Sequence, residues 1–316
     1  MQVKCMRLQI DIKTKDAGRN IAQILRRRAG ISSRLLKRLR YGGILLLNGQ
    51  PARLIDQVYA DDLLEFAFPD EPDIEYHFPS QTEAPILWQD EWLMVCAKPA
   101  GLLTHPDSDP NRPALTTLWP EADLRPVSRL DRDTSGLVLL AKNAYAHSRL
   151  AAVIPSIHRL YLTFVYGGPH SAEGSGIIDL PIARRPGSLI ERMTDPDGQP
   201  ARTAWRRLRS WRTDSAPDDS DGLVTLLACR LLSGRTHQIR VHCRAVGWPL
   251  VGETLYTDRK SRRNVLQYIV SRQALHAAEL KFFHPFTGEH IVIREPLPAD
   301  LRNLHNFLEE NYTRRD

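Results

Sequence analysis

The sequence predicts an α+β fold that contains a large, mostly antiparallel mixed sheet. Residues 92–316 alternate strand-like and helix-like segments irregularly, whereas a parallel α/β fold alternates them regularly. Two polar loops, TDPDGQP at 194–200 and TDSAPDDSDG at 213–222, separate strand-like runs and are typical of hairpins. The sequence has no Gly-rich phosphate loop, no Rossmann pattern and no internal repeat, which argues against nucleotide-binding and solenoid architectures.

The individual elements of this region follow from hydrophobic periodicity. Strands are predicted where apolar residues form short runs, namely LMVCAK (93–98), LVLLAK (137–142), LYLTFVYG (160–167) and LVTLLAC (223–229). Helices are predicted for NAYAHSRLAAVI (143–154) and THQIRVHCRAV (236–246). Thr236 is the expected N-cap of the second helix. His237, Arg240 and Arg244 would then share one face of that helix.

The first part of the chain predicts a small domain of two short helices followed by short strands. The segments GRNIAQILRRRAG (18–30) and SSRLLKRLR (32–40) carry leucines and isoleucines at helical spacing, and a serine begins the second helix. ILLLNGQPA (44–52), with its Asn-Gly turn, and LLEFAF (63–68) predict strands of a small sheet.

The excess positive charge is concentrated in this first domain. The chain has 43 Lys and Arg against 37 Asp and Glu, a net charge of +6. Residues 1–68 hold 13 basic and 6 acidic residues, so the remainder, 43 − 13 = 30 basic and 37 − 6 = 31 acidic, is near neutral. A basic module attached to a near-neutral body predicts that the module binds a polyanion.

An acidic, proline-containing segment separates the two parts. Residues 69–91 contain seven acidic residues, four prolines and no Lys or Arg, a composition that opposes compact structure. We therefore predict a basic domain at 1–75, a linker at 76–91 and a larger domain at 92–316.

The cysteines and the hydropathy pattern exclude several classes of protein. Cys5, Cys96, Cys229 and Cys243 are far apart with no CxxC pair, which excludes zinc-ribbon and thioredoxin motifs and is typical of reduced, cytosolic thiols. No apolar stretch has signal-peptide or membrane-spanning character. The sequence thus predicts a cytoplasmic protein with no membrane partner.

Residues 128–136, SRLDRDTSG, are the most informative segment of the chain. Arg129 and Arg132 flank Asp131, which places cations beside a carboxylate where an anionic polymer could pass. The segment resembles the HRLDxxTSG signature of the RluA/RluD family of RNA pseudouridine synthases. Further blocks of that family follow the same order, namely LMVCAKPAGLLTHP (93–106), YLTFVYG (161–167), SGRTHQIRVH (233–242) and ALHAAELKFFHPFTGE (274–289).

This resemblance implies a bent antiparallel sheet flanked by helices, crossed by an RNA cleft, and an isomerase that needs no metal or nucleotide cofactor. It implies Asp131 as the catalytic carboxylate and Tyr161, from a KxYxAxV-like block, as a ring that stacks on the flipped uracil or joins a proton relay. Arg240, in an HQIR run, would be the cationic partner of Asp131. Arg235 is the alternative partner, or a phosphate ligand.

The resemblance also implies a set of RNA contacts. Arg129 matches an arginine that occupies the gap left by the extruded nucleotide, although Ser128 replaces the histidine that usually precedes it. The other expected RNA-binding residues of the larger domain are Arg132, Arg235, His237 and Arg244. His237 and His242 have a poor spacing for a helical metal pair, so no metal site is predicted.

The basic N-terminal module resembles the RNA-binding domain of ribosomal small-subunit protein four. Its second helix is rich in cationic residues that would lie along phosphates, namely Arg34, Lys37, Arg38 and Arg40. The expected partner is RNA, with large-subunit ribosomal RNA favoured and tRNA as the alternative. No obligate protein partner is evident from the sequence.

Two further classes of function remain as alternatives. A glycoside hydrolase or N-glycosidase could use Asp131 with Asp133 or Glu253, and it would release a free base. A non-catalytic RNA-binding or ribosome-assembly protein would need only the basic module. The sequence also leaves open whether Asp131 attacks the ribose C1′, attacks uracil C6 or removes the 2′ proton.

Overall fold

The computed structural model describes residues 7–31, 33–68, 83–107, 109, 112–120, 122–151, 153–169, 174–213, 222–256 and 266–315. The helices in these ranges are α1 (Ile21–Ala29), α2 (Ser33–Gly42), α3 (Ala144–Ala151), α4 (Gln238–Ala245), α5 (Leu266–Ile269) and α6 (Ala299–Asn311). The first strands are β1 (Leu8–Asp11), β2 (Ile44–Leu47), β3 (Gln50–Pro51), β4 (Leu63–Ala67), β5 (Ile86–Gln89), β6 (Leu93–Lys98), β7 (Arg125–Pro126), β8 (Ser135–Ala141) and β9 (His158–Tyr166). The later strands are β10 (Ser175–Asp179), β11 (Ile182–Arg184), β12 (Arg192–Thr194), β13 (Arg202–Arg212), β14 (Leu223–Leu231), β15 (Leu275–Phe283), β16 (His290–Arg294) and β17 (Thr313–Arg315).

The N-terminal module has the two helices and the short strands that its sequence predicts. Asn20 begins α1 through a reciprocal capping box with Gln23, and Gly30 ends the helix in the left-handed conformation. Asn48 and Gly49 both have positive φ and connect β2 to β3 in a tight hairpin. The sheet has the order β1-β4-β2-β3, and β1 is a strand that periodicity did not reveal.

The larger domain is built on one sheet of 11 strands, whose main path is β10-β13-β14-β9-β15-β8-β6-β5. Within the described ranges, its pairings are antiparallel except between β8 and β15, where Ser135 is opposite His276. The predicted mostly antiparallel mixed sheet, the α+β class and the four predicted strands are therefore confirmed. β11 and β12 form a separate two-stranded hairpin.

The two faces of the sheet are covered by different helices, because successive side chains of a strand point to opposite faces. On β9, Tyr161 and Val165 belong to a core that includes Ile239 and Cys243 of α4. On the other face, Phe164 packs in a core that includes three leucines of α6, namely Leu301, Leu304 and Leu308. The face under α4 is the one that carries the candidate site.

The predicted linker extends too far toward the larger domain. Residues 86–89 form β5, which pairs with β6 at the edge of the large sheet, and Ala84 is buried in its core. Apolar Ile86, Leu87 and Trp88 supply a strand that the flanking acidic residues concealed. The larger domain thus includes residues before 92, and residues 76–82 of the predicted linker lie outside the described part of the chain.

The module packs against α3 of the larger domain. Ala144 and Tyr145 belong to the apolar core of the module, and the ring of Tyr145 meets Phe66 edge-on at 6.1 Å between centroids. The hydroxyl of Ser148 donates a hydrogen bond to the carbonyl of Gly30. The helix α3 therefore packs in the cores of both domains.

No helix in the described ranges is long and apolar enough to cross a membrane.

Gly136 provides a test of the close contact between β8 and β15. Its φ is +113°, and a Cβ there would lie 2.3 Å from the carbonyl oxygen of Ala277. We expect Gly136→Ala to lower the free energy of unfolding by about 1–3 kcal/mol, because the two backbones must move apart. Urea unfolding followed by tryptophan fluorescence measures the change.

The matched control is Gly288→Ala, where φ is +75° but no atom lies within 4 Å of the added Cβ. That variant experiences only the backbone strain of a positive φ. Equal losses of stability in the two variants would contradict the role of the close contact.

Candidate active site

Asp131 lies in a tight turn that leads into β8. The turn is closed by a hydrogen bond from the backbone N–H of Thr134 to the carbonyl of Asp131, at 3.0 Å. The Asp131 side chain is 23% exposed, so it is reachable from the cleft yet largely surrounded by protein. Its Oδ2 accepts a hydrogen bond from Nη1 of Arg240 at 3.0 Å. Arg240, rather than Arg235, is the arginine that pairs with Asp131 in this geometry.

The same Arg240 guanidinium binds a second carboxylate, that of Glu253. Nε and Nη2 of Arg240 donate to the two carboxylate oxygens at 2.8 and 2.7 Å, a bidentate pair in which both residues are buried. One arginine thus bridges Asp131 and Glu253. From the sequence, Glu253 was expected only as a possible carboxylate of a hydrolase, because sequence position gives no sign that it faces Arg240.

Glu253 is in turn fixed by its own backbone. Its Oε1 accepts hydrogen bonds from the N–H groups of Thr254 at 3.0 Å and Leu255 at 2.9 Å. Burial by itself raises the pKa of the Glu253 carboxyl, but the hydrogen bonds and charge of Arg240, together with the backbone N–H groups of Leu255 and Tyr256, lower it below the usual value. For Arg240, burial lowers the pKa, whereas the hydrogen bonds and charges of Glu253 and Asp131 raise it. The net effect is a raised pKa of Arg240.

His237 precedes α4, and the predicted N-cap Thr236 is wrong. His237 occupies the N-cap position with φ 58°, a left-handed conformation that is uncommon outside glycine. This conformation places its Nε2 3.8 Å from Oδ1 of Asp131 and its Nδ1 2.6 Å from the hydroxyl of Tyr256. Burial lowers the pKa of His237, which favours the neutral ring, although Asp131 acts in the opposite direction.

Tyr256 contributes a further contact that the sequence did not predict. Its ring lies beneath the guanidinium carbon of Arg240, 5.1 Å from the ring centroid. Tyr256 and Glu253 therefore hold Arg240 from two directions, and Tyr256 also orients His237. Glu253 and Tyr256 lie in one short segment after α4. Only the fold brings this segment against the helix, so the sequence did not reveal their contacts with Arg240.

Lys98 fixes the loop that carries Asp131. This lysine is 1% exposed, and its Nζ donates to the carbonyls of Pro99, Leu102 and Arg132 at 2.9, 2.7 and 2.8 Å. The pKa of Lys98 is lowered to about 7. Burial is the main cause, and the charges of Asp133 and Asp131 act in the opposite direction. Three carbonyl acceptors require three N–H donors, which only the protonated ammonium group has. Lys98 thus ties two loops together beside the cleft.

A cleft of about 810 Å³ opens over Asp131 and is lined by several basic residues. Its cationic residues are Arg129, Arg132, Arg159 and Arg235, and Tyr161 and His237 also line it. Tyr161 is 5% exposed, and burial raises the pKa of its phenol to about 12, so the phenol is protonated at neutral pH. These residues come from separate elements that meet above the face of the sheet under α4.

Two of the predicted basic residues are placed differently from expectation. Arg132 donates two hydrogen bonds to Asp133, at 3.0 and 3.1 Å, so it neutralises that neighbour rather than Asp131. The carboxylate of Asp133 is therefore bound by its neighbour Arg132. Arg244 is exposed near the end of α4 and is absent from the cleft lining. His237, Arg240 and Arg244 therefore do not lie on one face of the helix, contrary to the prediction from the sequence.

The basic residues of the module lie on α2. Lys37 and Arg40 are exposed there, whereas the side chains of Arg34 and Arg38 lie outside the described part of the structure. Arg40 lies 5.5 Å from the ring centroid of exposed Tyr41.

Arg240→Met tests the paired carboxylates. It leaves the buried Glu253 without its cation, which we expect to lower the free energy of unfolding by about 3–5 kcal/mol near pH 7. In the parent, the lowered Glu253 pKa makes the pairing stabilise the fold above the pKa of an unfolded glutamate, and this contribution is lost as the pH falls. In the variant, burial alone raises that pKa, so stability falls as the pH rises.

The difference in unfolding free energy between parent and variant should therefore be larger near pH 7 than near pH 5, as measured by urea unfolding with tryptophan fluorescence. Arg244→Met, on the exposed side of the same helix, is the control and should change stability little. A difference that is the same at both pH values would contradict the pairing.

Comparisons with known proteins agree with this geometry. The family model described as RNA pseudouridylate synthase matches residues 92–245, which contain Asp131, Tyr161 and Arg240. The chain is 36% identical over 286 residues to an uncharacterized RNA pseudouridine synthase, YjbO, of Bacillus subtilis, covering 87% of this chain and 94% of the relative. It is 33% identical over 295 residues to ribosomal large subunit pseudouridine synthase D of Xanthomonas campestris, covering 86% and 83% of the two chains.

A solved structure shows the same fold at lower similarity. The human protein RNA pseudouridylate synthase domain containing 1 superposes with a TM-score of 0.56 at 21% identity, covering 75% of this chain and 91% of the human chain. The identity of the bacterial relatives, over most of their length, shows the family. This chain therefore belongs to the family of RNA pseudouridine synthases, which are isomerases that act on RNA.

Proposed function

We propose that this enzyme converts uridine to pseudouridine in large-subunit ribosomal RNA, with Asp131 as its catalytic carboxylate. The observation that carries the assignment of Asp131 is its position. Asp131 lies on the wall of the basic cleft, and its hydrogen bond with Arg240 fixes one carboxylate oxygen. Glu253, the other carboxylate bound to Arg240, is 1% exposed and is not available to a substrate.

The reaction breaks the bond between ribose C1′ and uracil N1 and forms a bond between C1′ and C5. The C5 proton is lost and N1 gains a proton, so atoms balance without an oxidant or a co-substrate. Attack at C1′, attack at C6 and removal of the 2′ proton all need an unprotonated carboxylate with one free oxygen. Arg240 binds Oδ2 of Asp131 and leaves Oδ1 facing His237 at 3.8 Å.

Tyr161 is proposed to contact the uracil ring and to take part in proton movement at C5. The residue lines the same cleft as Asp131. Because burial raises its pKa to about 12, its phenol enters the reaction protonated and acts first as a hydrogen-bond donor. Its ring also offers a surface on which a flipped base can stack.

Arg129 is proposed to stabilise the RNA from which the uridine has been extruded. It is exposed at the mouth of the cleft, two residues before Asp131. A guanidinium group can stack on bases and bind phosphate, which offsets part of the cost of unstacking a nucleotide. Arg235 and His237 line the same cleft and complete the proposed RNA contacts of this domain.

The choice of ribosomal RNA rests on similarity to named relatives. Ribosomal large subunit pseudouridine synthase D of Xanthomonas campestris aligns along 86% of this chain. We propose that the basic module, whose sequence resembles the RNA-binding domain of ribosomal small-subunit protein four, contacts this RNA through α2. The contact of the module with α3 would present both RNA-binding surfaces on one body.

Asp131→Asn tests the catalytic assignment. It keeps the side-chain shape and removes the carboxylate, so we expect no detectable pseudouridine while RNA affinity stays within a few fold of the parent. Pseudouridine mapping in total RNA from cells that carry the parent, the variant or no copy of the gene identifies both the modified RNA and the loss.

The matched control is Asp133→Asn, because Asp133 is a nearby carboxylate that is paired with Arg132 and lies two residues further along the same turn. That variant should keep most of the activity. Appreciable turnover by Asp131→Asn would remove Asp131 from the mechanism, and a modified uridine found only in tRNA would correct the proposed substrate.

Lys37→Gln combined with Arg40→Gln tests the module. Both side chains are exposed on α2. If each contacts one phosphate, the salt dependence of RNA affinity, expressed as the slope of log K against log salt, should fall by about 1.5.

Lys13→Gln combined with Lys15→Gln removes the same charge from exposed positions of the module outside α2 and is the control. If the two double variants lower the slope equally, the module acts through its net charge and α2 is not its RNA-binding surface.

A further inference from the structure

Arg159 is a cation of the cleft that the mechanism above leaves without a role. It lies on β9, two residues before Tyr161, so the two side chains leave the strand on the same face. Both line the cleft above Asp131. The positive charge of Arg159 acts on Tyr161, where it opposes the effect of burial on the phenol pKa.

Arg159 has no anionic partner in the described part of the chain, in contrast to Arg132 and Arg240. Arg132 is paired with Asp133, and Arg240 with Asp131 and Glu253. The Nε of Arg159 is a buried donor with no hydrogen-bond partner there. Because a buried polar group without a partner costs stability, native proteins rarely keep one outside a functional site.

The surroundings of Arg159 place its guanidinium at the lining of the cleft. Gly234 lies beside its terminal nitrogens, and even a Cβ at that position would be 3.6 Å from Nη1 and 3.9 Å from Nη2. The loop from Gly234 to His237 lines the same side of the cleft. The guanidinium therefore lies close to Gly234, which has no side chain, and both residues line the cleft.

We propose that Arg159 binds a phosphodiester group that flanks the uridine being isomerised. This proposal rests on the proposed function, since it assigns the cation a part of the same substrate. A phosphodiester presents paired anionic oxygens that match the planar donors of a guanidinium. The phosphates on either side of a nucleotide are the anionic groups nearest to its ribose, and Arg159 lies beside Tyr161, the proposed contact of the uracil.

This contact would position the ribose against Asp131. A nucleotide that has left the RNA stack loses its neighbours, so its backbone must be held by the protein for C1′ to meet the carboxylate. A bound phosphate would also neutralise the charge of Arg159 beside Tyr161. Arg159 is thus a substrate-positioning cation, while Asp131 remains the group that acts on the nucleoside.

The first experiment measures the affinity of a uridine-containing stem-loop of large-subunit ribosomal RNA for full-length variants at several salt concentrations. Arg159→Gln should lower the slope of log K against log salt by about 0.7 to 0.9, the value for one phosphate contact. Arg159→Lys keeps the charge and should keep most of the slope. Arg302→Gln, an exposed arginine of α6 on the opposite face of the sheet, should leave it unchanged.

The second experiment replaces single phosphates of that RNA by uncharged methylphosphonates. With unmodified RNA, Arg159→Gln should lower affinity and kcat/KM roughly tenfold while pseudouridine still forms. Replacing one of the two phosphates next to the target uridine should lower the affinity and kcat/KM of the parent by a similar factor. The same replacement should lower those of Arg159→Gln only slightly. A replacement further along the RNA should affect both proteins equally.

Two results would overturn the contact. One is an unchanged salt slope in Arg159→Gln. The other is that each flanking replacement lowers the affinity of Arg159→Gln by the same factor as that of the parent. The affinity measurements stand apart from turnover. If the parent binds the RNA as described but forms no pseudouridine, the proposed function fails and the phosphate contact does not. Thermal unfolding of each variant verifies that the fold is kept, and the retained charge of Arg159→Lys separates a charge effect from a packing effect.

Discussion

The arrangement of the site depends on one guanidinium group shared by two carboxylates. Arg240 makes a bidentate pair with Glu253 and a single hydrogen bond with Asp131. The stronger pair is buried and tied to backbone N–H groups, so it fixes the arginine in place before any substrate arrives. The weaker contact can then orient Asp131 without enclosing it. Compared with apolar residues of similar volume, a buried ion pair of this kind adds little net stability, but it specifies one geometry of the site, as the proposed role of Asp131 requires.

The rest of the fold places this pair against a rigid surface. Asp131 lies in a turn before β8, and Lys98 at the end of β6 binds the carbonyl of Arg132 within that turn. β8 is held parallel to β15 at Gly136, where a side chain would clash with the neighbouring backbone. The helix α4 packs on the same face and delivers Arg240. Each contact restrains the turn from a different direction, so the carboxylate position follows from the sheet as a whole.

The charges of the cleft divide into two groups with different tasks. Arg240 and Arg132 are neutralised by carboxylates of the protein, and they organise the site. Arg129 and Arg159 line the cleft and, within the described residues, have no carboxylate partner. Cations of the second kind are suited to an anionic polymer, because they exchange hydration for phosphate contacts instead of breaking ion pairs within the protein.

The sequence by itself determined the fold class, the four predicted strands of the large sheet and the four predicted helices, and its family-like motifs singled out Asp131, Tyr161 and Arg240 as candidate residues of one site. Those features depend on local periodicity and on short motifs, which are contained within a few adjacent residues. It did not determine that β5 belongs to the large sheet, that His237 ends the loop before α4 in a left-handed conformation, or that Glu253 and Tyr256 support Arg240. Asp131 and Arg240 are 109 residues apart, and the orientation of each side chain is set by packing between elements. Only the tertiary structure decided these contacts, because hydrogen bonds between distant segments leave no periodic signal in the chain.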